Sequence, residues 1–153
     1  MLDLSMKYAF DMKLEVKSPI LNLGKTPNGT RLIAEVTGGV VEGPMLEGTI
    51  LAGGGDWLML REDGVMQLDV RLTIRANDGA LIYVTYRGLR HGPKHIMDKM
   101  AAGEEVDPSQ FYFRISPFFE TASESHDWLN RHLFVGTGTR NASGPVYSVY
   151  LVE

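Results

Sequence analysis

Hydrophobic and polar residues alternate with a period of two along most of this chain. Residues 7–17 place Tyr8, Phe10, Met12, Leu14 and Val16 on one face, and Lys7, Asp11, Lys13, Glu15 and Lys17 on the other. That alternation predicts a half-buried strand. Residues 30–37 repeat it, with Leu32, Ala34 and Val36 set against Arg31, Glu35 and Thr37. Further strands are predicted at 49–51, 57–61, 65–75, 80–87, 111–116, 133–136 and 146–152. Asp63-Gly64 and Asn77-Asp78-Gly79 supply residues that tolerate tight hairpin turns. Gly38-Gly39, Gly43-Pro44 and Gly53-Gly54-Gly55 mark other breaks or bulges. One helix is predicted from Pro93, through Ile96, Met97 and Met100, to a stop at Gly103, and a shorter helical turn at 123–130. No repeat, low-complexity tract or linker divides the chain, so residues 1–153 read as a single domain. The fold class is all-β. Closure removes exposed strand edges, which favours a compact antiparallel β-barrel of about 8–10 strands with one short helix.

Composition narrows the chemistry. With 44% hydrophobic and 22% charged residues the chain is globular rather than disordered. Cysteine is absent, which excludes a disulfide framework, a thiolate nucleophile and a cysteine-ligated metal. A net charge of -4 and the lack of any long basic run argue against nucleic acid and against an anionic membrane surface as partners. The opening Met1-Leu2-Asp3-Leu4-Ser5-Met6-Lys7 has neither a secretory nor a membrane-spanning apolar stretch, so a cytoplasmic location is expected. His91, His95, His126 and His132 fall in no metal-ligand spacing, and no GxSxG elbow occurs. The expectation is a protein without metal or cofactor, whose chemistry rests on carboxylates, arginines and aromatics.

Three strands carry those groups on one face. Residues 65–75 set Leu68, Val70, Leu72 and Ile74 against Gln67, Asp69, Arg71, Thr73 and Arg75. Residues 80–87 set Ile82, Val84 and Tyr86 against Leu81, Tyr83, Thr85 and Arg87, and residues 111–116 set Phe111, Phe113 and Ile115 against Tyr112, Arg114 and Ser116. Parity leaves two arrangements open. Either the apolar faces fill the barrel and the arginines are solvated, or Asp69, Arg71, Tyr83, Arg87, Tyr112 and Arg114 line a lumen just wide enough for one small ligand. In the second arrangement Asp69 and Arg71, two apart on one face, form a tuned general base and its partner. Asp56 and Trp57, after a glycine turn, read either as a plain strand start or as acid/base group and apolar wall at a barrel mouth. Phe118-Phe119-Glu120-Thr121 and His126-Asp127-Trp128-Leu129-Asn130 read either as core aromatics at a strand end or as a pocket wall.

The ordered set Thr37-Gly38-Gly39, Gly43-Pro44, Gly54-Gly55-Asp56-Trp57, Asp69 with Arg71, Asp78-Gly79-Ala80-Leu81-Ile82, Tyr112-Phe113-Arg114, Phe119-Glu120-Thr121, Trp128-Leu129-Asn130 and Phe134-Val135-Gly136 resembles the bacterial and fungal family of domain of unknown function 3237, also called uncharacterised protein family 0311. The resemblance runs from Tyr8 to Val152. One departure is His126, where the family usually has an aromatic, commonly Tyr, two residues before Trp-Leu-Asn.

The resemblance implies an antiparallel β-barrel. For some fungal relatives it implies cofactor-free closure of oxygen heterocycles, by addition of a hydroxyl across an activated alkene. It also favours the lumen-facing arrangement of Asp69, Arg71 and Arg114. The leading expectation is therefore a cofactor-independent lyase or isomerase acting on a small oxygenated, partly apolar or anionic substrate. Asp69, helped by Asp56 or Glu120, would move the proton. Arg71, Arg114 and Arg87 would hold the anion. Trp57, Trp128, Tyr83, Tyr112 and His126 would line the pocket, and a loop around the 91–108 helix, rich in Gly and Pro at its flanks, would serve as a lid. Two alternatives remain. One is a non-catalytic barrel carrying a hydrophobic metabolite. The other is an assembly protein forming a homodimer or higher homo-oligomer through the Leu68, Val70, Leu72, Ile74 stripe.

Overall fold

A computed structural model describes all 153 residues. The strands are β1 Met6–Val16, β2 Leu21–Thr26, β3 Gly29–Glu42, β4 Gly48–Ile50, β5 Gly54–Leu60, β6 Met66–Ala76, β7 Leu81–His91, β8 Tyr112–Thr121, β9 Leu133–Arg140 and β10 Pro145–Val152. Helix α1 spans Lys94–Ala101, and 3₁₀ turns lie at Pro108–Gln110 and Glu124–Arg131. No helix is long and apolar enough to cross a membrane.

All strand pairs are antiparallel, and β1 pairs with both β10 and β3. That second pairing closes the sheet into an eight-position barrel, in the order β1, β10, β9, β8, β7, β6, then β5 and β4 sharing one position, then β3. The extra strand β2 pairs only with β3. β3 can serve β5 and β4 on one edge, and β2 and β1 on the other, because it bends at Gly38-Gly39. Gly39 has φ 149°, and a Cβ there would meet the Lys13 carbonyl oxygen.

Closure forces each strand to commit one face inward. Leu68, Val70, Leu72 and Ile74 of β6, Ile82, Val84 and Tyr86 of β7, and Phe113, Ile115 and Phe119 of β8 are all buried in one core cluster. The lumen-facing arrangement of the arginine rows is thereby corrected: Asp69, Arg71, Arg87, Tyr83, Tyr112, Arg114 and Glu120 occupy the outer face. The β6 aliphatic stripe, on which the assembly alternative rested, is interior and so is not an outer docking surface. The outer face of β7, β8 and β9 does expose apolar side chains, among them Leu89, Phe118 and Val135.

The two ends of the barrel differ. At one, Phe119 meets Phe10 and Phe134 edge-to-face, at centroid distances of 5.7 and 4.8 Å. The Glu124–Arg131 turn closes this end with buried Leu129 and with Trp128, which packs 6.0 Å from Phe134. The other end is loosely filled and carries polar groups. Between them runs an interior row in which Arg90 sits opposite Phe113 and Tyr147 opposite both Gly138 and Met12. The Phe113 ring lies where a Gly138 side chain would be, and it meets Tyr147 edge-on at 5.4 Å.

Strand 1 departs from simple alternation. A bulge between Tyr8 and Phe10 buries both Ala9 and Phe10 and leaves Tyr8 39% exposed. β2 was not foreseen, because Leu21, Leu23 and their neighbours lie exposed and show no apolar face. Several strands also run longer than expected, β7 to His91, β8 to Thr121 and β9 to Arg140.

The Gly138 position tests this packing. A Cβ there would come within 2.7–2.8 Å of three Phe113 ring atoms. Gly138→Ala is expected to destabilise the fold by about 1–3 kcal/mol, as overpacked cores do. Denaturant unfolding reads this directly, and an unchanged midpoint would contradict the packing described.

Candidate functional site

The open end of the barrel holds a cavity of about 110 Å³ whose walls are mostly apolar, including Leu14, Val36, Leu58, Leu68, Val70 and Phe113. Five polar side chains reach it: Asp56, Tyr86, Arg90, Arg140 and Tyr147. Each follows from strand parity. Asp56 shares the inward face of β5 with Leu58, and Arg90 continues the inward row Ile82, Val84, Tyr86, Gly88 of β7. Arg140 continues Phe134, Gly136 and Gly138 of β9, and Tyr147 begins the row Tyr147, Val149, Leu151 of β10. Across the sheet, Val70 is flanked by Asp56 on one side and Tyr86 on the other, so the carboxyl and one phenol sit on a single transverse row.

Asp56 is placed by a break in the β5–β6 ladder. Pairing runs through Asp56 with Val70 and resumes at Met59 with Gln67. In the gap, the Asp69 backbone N–H donates to Asp56 Oδ1 at 2.9 Å. The Trp57 carbonyl accepts from the Arg31 guanidinium at 2.8 Å. Two backbone groups released from the ladder are thus satisfied by side chains, and the Asp56 carboxyl is anchored at the cavity wall.

Burial raises the Asp56 pKa from 3.8 to about 6. The Asp69 N–H and the Arg90 charge oppose that rise, and the Asp69 carboxylate adds to it. Burial also raises the Tyr86 and Tyr147 pKa values above that of an ordinary phenol, so both hydroxyls stay protonated. The two rings meet edge-to-face at 5.2 Å, and their hydroxyls approach each other but have no hydrogen-bond partner elsewhere in the protein. Buried hydroxyls without partners are uncommon in folded proteins. The pairing of an ionisable carboxyl near neutrality with two protonated phenols, in a dry and shaped space, can move a proton and stabilise a developing oxyanion.

The residues expected from sequence distribute differently. Asp56 alone lies in this cavity. Trp57, the next residue along, faces outward and is 41% exposed. Trp57, Asp69 and Arg87 come together instead in a shallow outer hollow with Arg31. Arg87, Tyr112 and Arg114 share a wider outer depression of about 610 Å³ with Val135 and Gly136. There the Arg114 guanidinium lies 5.1 Å from the Tyr112 ring centroid and donates to the Phe113 carbonyl. Arg71 is exposed on β6, and Glu120 and Tyr83 face each other across the outside of β7 and β8.

The Trp128 and His126 segment lies at the opposite, closed end and has a visible structural role. Asn130 exchanges two hydrogen bonds with the Thr121 backbone, at 2.9 Å each. His126 Nε2 meets Asp78 Oδ2 at 2.9 Å, tying the segment to the β6–β7 turn. Near the open end, Arg140 also lines a hollow beneath α1 formed by Met100, Gly103, Glu104 and Val106. The segment expected to carry the lid therefore lies beside the cavity, and its helix is anchored by Ile96 and Met100, which pack into the core. Sequence reasoning missed Tyr86, Arg90, Arg140 and Tyr147. The signal available was a phenol within each apolar row, and arginines at inward parity just past the predicted strand ends.

A UPF0311 protein from Rhodopseudomonas palustris is 34% identical over 149 residues, 97% of each chain. The crystal structure of the R. palustris protein of unknown function RPA1785 superposes with a TM-score of 0.95 at 33% identity, covering 100% of both chains. A hydroalkoxylation enzyme, phnH, from Penicillium herquei is 26% identical over 134 residues, 87% of this chain and 73% of that one. The crystal structure of an enzyme from the same fungus shares the fold, with a TM-score of 0.75 at 22% identity over 100% of this chain and 97% of that one. The family described as protein of unknown function DUF3237 matches residues 4–152, and the chain belongs to that family.

Proposed function

We propose that this barrel is a cofactor-independent lyase or isomerase that adds a substrate hydroxyl across an activated alkene of the same molecule, within the Asp56 cavity. The observation that carries the reading is a carboxyl raised to about 6 by burial, in an apolar cavity that also holds two protonated phenols with no hydrogen-bond partner outside their own pair. The Penicillium hydroalkoxylation enzyme supports the reaction class.

The chemistry balances within one molecule. Ionised Asp56 takes the proton from the substrate hydroxyl as its oxygen bonds to the β-carbon of an α,β-unsaturated carbonyl. The alkene electrons move onto the carbonyl oxygen, which becomes an enolate. Tyr86 and Tyr147 donate hydrogen bonds to that oxygen, where fixed donors are worth most because charge develops there. The α-carbon then recovers the proton from Asp56, and the product is an isomer of the substrate. The apolar wall excludes water that would otherwise compete for the alkene.

Asp56→Asn keeps the acceptor for the Asp69 N–H but cannot move a proton. It is expected to lower the rate of cyclisation of a short ω-hydroxy-α,β-enone by about 10²–10⁴-fold, the usual contribution of a positioned acid/base group. Arg71→Met, on the outer face, should leave that rate unchanged. Undiminished ring closure by Asp56→Asn, followed by chromatography, would overturn the assignment. In the native protein the rate should fall as pH drops through about 6, where Asp56 takes up its proton.

Stability gives a second reading of the same group. The folded pKa of Asp56, about 6, lies above its ordinary 3.8, so the protonated form favours the fold. Its contribution is fully present below about pH 4 and is lost as pH rises through about 6, amounting to as much as about 3 kcal/mol. Asp56→Asn cannot ionise. Its stability relative to native protein should therefore increase between about pH 4 and pH 7, read from urea unfolding at each pH. A difference constant with pH would contradict a buried, ionisable Asp56.

A further inference from the structure

Neither arginine of the cavity donates a hydrogen bond to the protein or stands in an ion pair, although Arg90 is close enough to Asp56 for their charges to interact. The seven ion pairs of the molecule all lie elsewhere. The arginine side chains that donate hydrogen bonds are Arg31, Arg61 and Arg114. Arg90 is half-buried, unlike the solvated arginines of the outer face, and its guanidinium lies 5.6 Å from the Phe113 ring centroid. The ring shields the guanidinium on that side without accepting a conventional hydrogen bond from it. Arg140 stands at the mouth on the last residue of β9, opposite Pro145, which has no N–H of its own. A half-buried guanidinium beside a second one, with no hydrogen-bond acceptor from the protein, is costly to desolvate.

Charge counting says what would relieve it. Two guanidiniums face one carboxyl, Asp56, so the cavity carries one positive charge in excess when Asp56 is ionised. From this arrangement we infer that Arg90 and Arg140 form an anion subsite, and that the natural ligand is a small monoanionic carboxylate with an apolar body. A carboxylate matches the planar fork of a guanidinium, and one negative charge restores neutrality. An apolar cavity of about 150 Å³ accepts a benzene ring; the cavity here, about 110 Å³, is smaller but is not closed off, and its lining includes the exposed Arg140. The ring or chain would lie against Leu58, Leu68 and Val70, and the carboxylate at the mouth. This inference rests on the Asp56 cavity being the functional site, and it narrows the substrate class of the proposed cyclisation.

Calorimetric titration with benzoate and hexanoate, each against its neutral amide, tests it. Both acids are expected to bind at least about tenfold more tightly than their amides, a difference of about 1.4 kcal/mol. Arg140→Met, at an exposed strand end where folding is undisturbed, and Arg90→Met should each remove that preference without weakening amide binding. Equal affinity for acid and amide, no binding of either pair, or an acid preference that survives both substitutions would overturn the subsite. Asp56→Asn separates this inference from the proposed catalysis, because it removes a like charge and should tighten acid binding while cyclisation is lost. Cyclisation retained by Asp56→Asn, with the acid preference intact, would overturn the proton-transfer reading and leave the subsite standing.

Discussion

Burial of one carboxyl in an otherwise apolar barrel is the constraint on which the site depends. A carboxylate in a low-dielectric wall is stable only with hydrogen-bond donors or a counter-charge at hand, and otherwise it holds its proton at higher pH. Asp56 has one backbone donor, Asp69 N–H, and Arg90 as a nearby cation. This is enough to hold the group in place and too little to keep it in the ordinary carboxylate range. The missing rung between β5 and β6 is what makes the donor available, since an intact ladder would have consumed the Asp69 N–H. A local flaw in the sheet and a poised acid/base group are therefore one feature.

The rest of the barrel organises itself around that end. Aromatic packing of Phe10, Phe119, Phe134 and Trp128 closes the far end, and Leu129 seals it. Gly138 lets Phe113 lie flat enough to support both Tyr147 and the Arg90 guanidinium. The polar groups thus hang from strands whose interior side chains Phe113 and Tyr147 are locked by this packing, although the cavity itself is not filled. A preorganised set of this kind does not need to be assembled during binding, and its donors lose nothing to reorganisation.

Much of the fold was legible in the sequence and less of the site. The faces of β6, β7 and β8 were readable residue by residue, because period-two alternation in a closed sheet has only two solutions. Between those two the ordinary rule that aliphatic faces go inward holds, against the arrangement the family resemblance favours. Asp69, Arg71 and Arg114 form a regular polar row because they face water, and regularity of that sort marks a solvated surface. The site is built from exceptions instead: one aspartate beside leucines, and two tyrosines within aliphatic rows. Arg90 and Arg140 lie beyond Arg87 and Gly136, where the alternation predicts that β7 and β9 end. Gly88, Gly136 and Gly138 continue those strands, each with a partner side chain lying in the space a Cβ would take. The bulge at Tyr8 to Phe10 and the exposed strand β2 had no hydrophobic signature to read.

The most direct measurement is the titration of the Asp56 side chain itself. The carboxyl carbon of Asp56, assigned by its loss in Asp56→Asn, can be followed by nuclear magnetic resonance from pH 3 to 9. A midpoint at about 6 is expected, well above the ordinary 3.8. A midpoint at the ordinary value would mean that the carboxyl is fully solvated, and that the open end of the barrel holds no poised acid/base group.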